Sequence, residues 1–175
     1  QPGGGTSGSA WSTQPVVALR DAAGNTVSSS SADVALSLTT AAGATLSCTS
    51  NPVAASSGVA TFAGCAVDKV GTYTLTATSG SLSVTSSSFT IVAGAAASLV
   101  FTTQPGGGTS GSAWSTQPVV TLRDAAGNTV SVSSDDVTLA LATAGGATLA
   151  CTSNPVAASS GVATFAGCAV DKAGT

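Results

Sequence analysis

The feature that most constrains the fold of this chain is an internal repeat. Residues 1–72 return as residues 104–175 at a constant offset of 103, without insertion or deletion, and only nine of the 72 aligned positions differ. Solenoid repeats are about 20–50 residues long, whereas a period near 100 matches one self-contained domain. The repeat therefore predicts two tandem domains with separate cores, residues 1–94 and 95–175, with the boundary in the small-residue segment 93–97.

Within each copy, apolar residues alternate with small or polar ones. Val34, Leu36 and Leu38 share one parity, and the differences between the copies at positions 35, 37 and 39 fall on the other. A period of two indicates a strand with one buried and one solvated face. The run 72–78 alternates in the same way and predicts Tyr73, Leu75 and Ala77 on the inner face.

Further short strands are expected between turn-forming Gly, Asn and Pro residues. The candidates are the strand containing Val17 and Leu19 and the segments 44–48, 58–63, 65–68, 86–92 and 98–103. No segment keeps a helical period for three turns. Roughly seven or eight short strands per hundred residues favour an all-β fold, specifically a two-sheet Greek-key sandwich.

Composition removes several function classes. The chain has four basic residues, seven Asp, no Glu and no His. Four scattered cations cannot form the basic stripe that nucleic-acid binding needs, and no apolar run approaches the ~18 residues of a membrane-spanning helix. Without His or Glu to activate a nucleophile, and without a Gly-x-Ser-x-Gly elbow, the sequence predicts no enzymatic activity and no cofactor.

Four segments carry a resemblance to a known family: residues 14–17, 21–27, 58–62 and 71–77. Together, and in this order, they resemble bacterial immunoglobulin-like (Big-type) tandem repeats of large cell-surface proteins and adhesins. The resemblance covers essentially the whole chain. It implies tandem immunoglobulin-like β-sandwiches in a head-to-tail array that is secreted or displayed at the bacterial surface, and it brings no catalytic residue with it.

The four cysteines, Cys48, Cys65, Cys151 and Cys168, allow three pairings. Only Cys48–Cys65 with Cys151–Cys168 gives both copies the same internal bond, so we predict these two disulfides, with free thiols as the alternative. Disulfides persist in oxidising, extracellular compartments. A metal site is disfavoured because Cys-x16-Cys without His lacks the spacing of tetrahedral ligands.

Other motifs have both a functional and a structural interpretation. The stretch Gly3–Gly8 is rich in glycine like a phosphate loop, but it lacks the Gly-Lys-Ser/Thr ending and favours a flexible connection. Asp21, Asn25 and Asp33 could offer oxygens to calcium, yet this turn supplies few of the six to eight that calcium needs. An Asp/Gly/Asn turn requires these residues for its conformation alone.

The outward threonines at 72, 74, 76 and 78 could order ice or carry O-linked glycans, while β-branched side chains also suit an exposed strand. Glycosylation stays open on composition. Trp11 and Trp114 could stack on a sugar or pack over one end of the sandwich. Lys69 and Lys172 could enter an isopeptide bond, but their place beside Asp at a turn favours solvated lysines.

These observations favour a structural repeat of an extracellular stalk, fibre or filament that projects or connects at the bacterial surface. Its partners would be neighbouring identical repeats. The alternative is an adhesin module that recognises a glycan or another cell surface. Binding loops commonly diverge between copies, whereas the loops at 1–9 and 49–58 are identical in both copies, which favours the structural role.

The frame of the repeat adds one expectation. The first copy has no counterpart of 98–103 and the second has none of 73–92. We therefore expect the chain to be a window on a longer array. Its residues 104–175 should then be less protected from hydrogen exchange than residues 10–92.

Overall fold

The computed structural model describes residues 1–174, and all regular structure in this range is β-strand. The expected all-β class is confirmed. Contacts divide the chain into two compact units, Gln1–Gly94 and Ala95–Thr175, of which Thr175 lies outside the described residues. The independent folding of 1–94 and 95–175 as domains stays a prediction. The described part of the chain contains no helix long and apolar enough to cross a membrane.

Short strands make up both units. Those of the first unit are β1 (Gly5–Thr6), β2 (Val16–Ala18), β3 (Asp33–Leu38), β4 (Leu46–Ser47), β5 (Val53–Ala54), β6 (Val59–Thr61), β7 (Ala66–Val67), β8 (Gly71–Tyr73), β9 (Leu75–Ser79), β10 (Leu82–Thr85) and β11 (Phe89–Val92). Those of the second are β12 (Ser98–Thr103), β13 (Val119–Arg123), β14 (Asp136–Val137), β15 (Leu149–Ala150), β16 (Val156–Ala157), β17 (Val162–Thr164) and β18 (Ala169–Val170).

The strands pair into several small sheets. In the first unit the orders are β1-β11-β8, β10-β9-β3-β5, β2-β6 and β4-β7. In the second unit they are β12-β13-β17, β14-β16 and β15-β18. All described pairings are antiparallel except that of β1 with β11. The ladders formed by β2-β6, β4-β7, β14-β16 and β15-β18 are only two or three residues long, so other contacts must hold these segments in place.

The predicted inner face is confirmed in the first unit. Val34, Leu36, Tyr73, Leu75 and Ala77 are all buried. They belong to one cluster with residues from every part of the unit, including Trp11, Leu19, Phe62, Cys65, Val67, Phe89 and Ile91. Period-two alternation identified this face because burial of one strand side is a local property of the sequence.

The run 72–78 is not one strand, as the sequence suggested, but two. Its first half, β8, pairs with β11, and its second half, β9, pairs with β3 and β10. At the junction the carbonyl oxygen of Thr74 accepts a hydrogen bond from Thr39 N at 2.9 Å. The chain changes sheets at Thr74 while the alternation of buried side chains continues, so periodicity alone could not show the change.

The glycine-rich start of the chain is ordered structure and not the flexible connection that its composition suggested. Gly5 and Thr6 form β1, which lies parallel to β11. Gly4 has a φ of 64°, and a Cβ at this position would lie 2.5 Å from the carbonyl oxygen of Thr90. The glycine is therefore needed for close backbone approach to β11.

The second unit repeats residues 1–72 with nine differences and has fewer strand pairings. β14 covers only Asp136–Val137, whereas its counterpart β3 continues to Leu38. In β3, residues 35–38 pair with β9, and among the described residues nothing pairs in this way with 138–141. The strand ends where its pairing ends, which illustrates how far strand length depends on a neighbour and not on propensity.

Candidate functional site

The disulfide lies at the end of the β4-β7 ladder. Leu46 pairs with Val67 and Ser47 with Ala66, so the next position in this register sets Cys48 opposite Cys65. The structure bonds these two residues, whose Cα atoms are 3.9 Å apart, and it bonds Cys151 to Cys168 at the same separation. The bond staples two antiparallel strands where their backbone ladder stops. The oxidation state of the four thiols in solution stays a prediction.

A glutamine side chain holds the buried end of this staple. Gln14 Oε1 accepts a hydrogen bond from Cys65 N at 2.8 Å, and Gln14 Nε2 donates to Trp11 O at 2.7 Å. Trp11 N in turn donates to Cys65 O at 3.0 Å. Since Cys65 is fully buried, water cannot replace these partners. We call this arrangement of Gln14, Trp11 and Cys65 the glutamine clamp.

The glutamine clamp recurs in the second unit. Gln117 Oε1 accepts from Cys168 N at 2.8 Å, and Gln117 Nε2 donates to Trp114 O at 2.9 Å. No role for either glutamine was predicted from the sequence, although Gln14 begins the segment 14–17 named above. Their position shortly before a strand gives no sign of a partner 51 residues away, and only the identity of the two copies could have drawn attention to them.

A second amide side chain takes the place of a strand partner. Asn51 Oδ1 accepts from Leu36 N at 2.9 Å, and Asn51 Nδ2 donates to Leu36 O at 2.8 Å. Asn154 makes the same pair of bonds to Leu139, at 2.9 and 2.8 Å. The side chain thus satisfies one residue of β3 on both its backbone groups, as a neighbouring strand would.

Trp11 is part of the core and not of a surface. It is buried, and its ring centroid lies 4.8 Å from that of Phe89 with the planes tilted by 59°. Its indole Nε1 has no hydrogen-bond partner among residues 1–174. The interpretation of Trp11 as packing is confirmed, and the indole face is not accessible to a sugar. Trp114 is half-buried against the core of the second unit.

The Asp21 turn satisfies its own carboxylate. Asp21 Oδ1 accepts from Asn25 N at 2.9 Å and from Ala23 N at 3.0 Å, while Asn25 Nδ2 donates to Oδ2 at 3.2 Å. The hydrogen bonds from the backbone and the side chain of Asn25 lower the pKa of this exposed carboxyl. Asp33 lies on β3 and joins no such arrangement. In the part of the chain that the structure describes, no three His, Cys, Asp or Glu residues are placed to hold a metal.

The threonines pair across strands. Thr76 Oγ1 lies 2.9 Å from Thr39 Oγ1, and Thr72 Oγ1 lies 3.5 Å from Thr90 Oγ1. Thr74 and Thr76 are half-buried and Thr72 and Thr78 are exposed, so the row is not a uniformly open array. O-linked glycosylation of the exposed threonines stays a prediction.

Lys69 and Tyr73 stand on either side of the turn before β8. Lys69 is exposed, as expected of a solvated lysine. The buried Tyr73 hydroxyl donates to the carbonyl oxygens of Lys69 at 3.1 Å or Val70 at 3.3 Å. Burial, and to a smaller degree the negative charge of Asp68, raise the pKa of Tyr73. The phenol therefore serves as a neutral hydrogen-bond donor that fixes this turn.

Comparisons with known proteins give little beyond this geometry. No protein-family model matches the chain, and no curated protein matches it. One solved structure, described as the S-layer protein SbsC, domains 5-6, aligns with 94% of this chain and 79% of that chain. The two share 19% sequence identity, with a TM-score of 0.34.

Proposed function

We propose that this chain is a structural repeat of an extracellular stalk, fibre or filament at the bacterial surface. Its units would be immunoglobulin-like Greek-key sandwiches in a head-to-tail array, which connect or project and do not transform a substrate. One observation carries the proposal: the same strand pair, joined by a disulfide and held by a glutamine side chain, occurs at equivalent positions in both units.

The staple and the clamps suit a load-bearing role. A disulfide between opposite residues prevents two strands from separating, whatever happens to the hydrogen bonds around it. Gln14 and Asn51 then fix backbone groups that the short ladders leave without a strand partner. Disulfides also persist outside the cell, where such an array would operate. The disulfide and the side chains of Gln14 and Asn51 thus stabilise the fold.

Two further features support the immunoglobulin-like interpretation. Tyr73 lies at the start of a strand run, and its hydroxyl bonds to backbone three or four residues upstream. Such a tyrosine corner is a recurrent feature of immunoglobulin-like sandwiches. In addition, the run 71–79 contributes to two different sheets, as expected of a chain that passes between two layers.

Single-molecule stretching of the full chain between two handles tests the load-bearing role. With the disulfides closed, the loop between cysteines separated by 17 positions cannot extend. Each unfolding event should therefore release roughly 60 Å less length than under reducing conditions, at about 3.5 Å per residue. Equal release in both conditions, or extension at negligible force, would contradict the proposal.

A glycan array with the same intact chain addresses the adhesin alternative. A structural repeat should give no saturable binding to any glycan. Specific binding that survives competition by salt would assign the chain to the adhesin class, since sandwich loops can host ligands. Mutation of exposed loop residues in 49–58 would then locate the site.

A further inference from the structure

The two cysteines of each disulfide differ in their access to solvent. Cys65 is 0% exposed and belongs to the buried core of the first unit, whereas Cys48 is half-buried and packs against that core from its margin. The second unit shows the same difference between Cys168, which is 0% exposed, and the half-buried Cys151. A reagent in solution can therefore approach each bond only from the side of Cys48 or Cys151.

This difference in burial does not depend on the strands in which the two units differ. The first unit contains β9 to β11 and the second contains β12, and neither set has a counterpart in the other unit among the described residues. Cys65 and Cys168 are nevertheless buried to the same extent. The difference is thus a property of the strand pair β4-β7 and of its counterpart β15-β18, which occur in both units.

Hydrogen bonds on both sides of the disulfide keep the two cysteines opposite each other. On one side lies the β4-β7 ladder, and on the other Thr49 N donates to Ala63 O at 2.9 Å. In the second unit Thr152 N donates to Ala166 O at the same distance. The glutamine clamp holds the buried cysteine by its N–H and its carbonyl oxygen. None of these bonds involves a sulfur atom, so they remain when the bond between the two sulfurs is broken.

The chemistry of thiol–disulfide exchange makes this arrangement directional. A thiolate attacks one sulfur of the bond, and the other sulfur leaves with the electron pair. In the folded chain a bond forms between the external sulfur and Cys48 Sγ, the bond from Cys48 Sγ to Cys65 Sγ breaks, and Cys65 Sγ leaves as a thiolate. Because Cys65 has no exposed surface, water does not stabilise this charge. The thiolate stays beside the mixed disulfide, attacks Cys48 Sγ in turn, expels the external thiolate and restores the original bond.

We infer that Cys48 and Cys151 are the sites at which an external thiol enters the two disulfides, and that Cys65 and Cys168 are the resolving residues that expel it. The ligand is a small thiol in its thiolate form, held for a time as a mixed disulfide. The expelled thiolate is the one that entered, so the bond closes again without an oxidant. This goes beyond the proposed function, and it requires only that the disulfides are closed, not that the chain forms a stalk.

Glutathione at low concentration, added to the full oxidised chain, tests the site of entry. The reaction is stopped with acid, free thiols are blocked with a maleimide, and tandem mass spectrometry of the unreduced peptides locates the bound glutathione. It should be found on Cys48 and Cys151 at least about tenfold more often than on Cys65 and Cys168, because reactivity follows access to the sulfur. In concentrated urea this preference should disappear, since unfolding exposes all four cysteines.

Cys65→Ser and Cys48→Ser form a matched pair, since each opens the first disulfide and leaves one thiol while the second disulfide stays closed. The thiol left in Cys65→Ser should react with an aromatic disulfide reagent at least about tenfold faster than the thiol left in Cys48→Ser. Glutathione bound at Cys48 should persist in Cys65→Ser after free glutathione is removed, and it should disappear from the unmodified chain. Circular dichroism checks that both variants fold, and if either does not, the mapping on the unmodified chain decides.

Several results would overturn the inference. They are equal amounts of glutathione on Cys48 and Cys65 in the folded chain, glutathione chiefly on Cys65, and no reaction at Cys48 while the chain stays folded. A preference that persists in urea would also overturn it, because it would then come from the local sequence and not from burial. Equal persistence of glutathione in Cys65→Ser and in the unmodified chain would exclude the resolving role. These results concern the reactivity of the closed bonds, whereas the proposed function is judged by the length released on stretching.

Discussion

Replacement of Gln14 measures what the glutamine clamp contributes. Gln14→Ala leaves Cys65 N without its acceptor and Trp11 O without its side-chain donor. Both residues are buried, and an unpaired buried polar group costs about 1–3 kcal/mol. Gln14 is half-buried, so its removal admits water to Trp11 O. The free-energy cost at Trp11 O should therefore lie near the lower end of this range. The total should be roughly 2–4 kcal/mol.

Gln14→Glu separates the two halves of the clamp. A carboxylate still accepts a hydrogen bond from Cys65 N, but it cannot donate one to Trp11 O. Its second oxygen instead faces the carbonyl oxygen of Trp11, and the two acceptors repel each other. This variant should therefore lie between the wild type and Gln14→Ala at neutral pH. Its stability should rise as the pH falls, because the protonated acid regains a donor.

Urea unfolding followed by tryptophan fluorescence provides the measurement. In a Trp114→Phe background only Trp11 reports, so the transition belongs to the first unit. Ser12→Ala, at an exposed neighbouring position, is the control and should change the free energy of unfolding by less than about 0.5 kcal/mol. If Gln14→Ala behaved like this control, the clamp would not contribute to stability and our account of the short ladders would fail.

Three other predictions follow from single features. Gly4→Ala should destabilise the first unit by about 1–3 kcal/mol, since its φ is positive and the new Cβ meets a carbonyl oxygen. Gly107→Ala, where a Cβ meets nothing within 4 Å, should be nearly neutral for the second unit, measured by urea unfolding in a Trp11→Phe background in which only Trp114 reports. The lowered pKa of Asp21 gives stability that is present above the unfolded pKa of about 3.9 and lost as the pH falls through the folded value. A carbon-13 NMR titration should find its midpoint below that of an ordinary aspartate, and Asp21→Asn should remove this part of the acid dependence. Intact mass after alkylation without reductant should show no modified cysteine, and reduction should lower the stability of each unit by about 3 kcal/mol; two or more alkylated thiols would contradict the disulfide assignment.

The sequence was informative wherever the determining pattern is local. Alternation identified Val34, Leu36, Tyr73 and Leu75 as inward because each strand face repeats every second residue. It missed β10, whose residues are all exposed, since such a strand has no inner face to give a pattern. It also missed the change of sheets at Thr74, because side-chain alternation carries no information about which strand lies alongside.

The clamps lay beyond sequence reasoning for a different reason. Gln14 and Cys65 are 51 residues apart, and Asn51 and Leu36 are 15 apart. A glutamine or asparagine side chain can both donate and accept hydrogen bonds, so the residue type alone does not identify its partner. Only the folded backbone shows which peptide groups lack a neighbouring strand and therefore need a side chain as their hydrogen-bond partner.

The local spacing of the cysteines has a consequence for how such a chain matures. Near-identical neighbours are prone to exchange and mispairing during folding. Cys48 and Cys65 are separated by 17 positions, whereas closure from Cys48 to Cys168 would span 120. Chain-entropy scaling favours the shorter closure by roughly 2 kcal/mol, or about twentyfold. Each disulfide can thus close correctly within its own copy, whether or not the other copy has already folded.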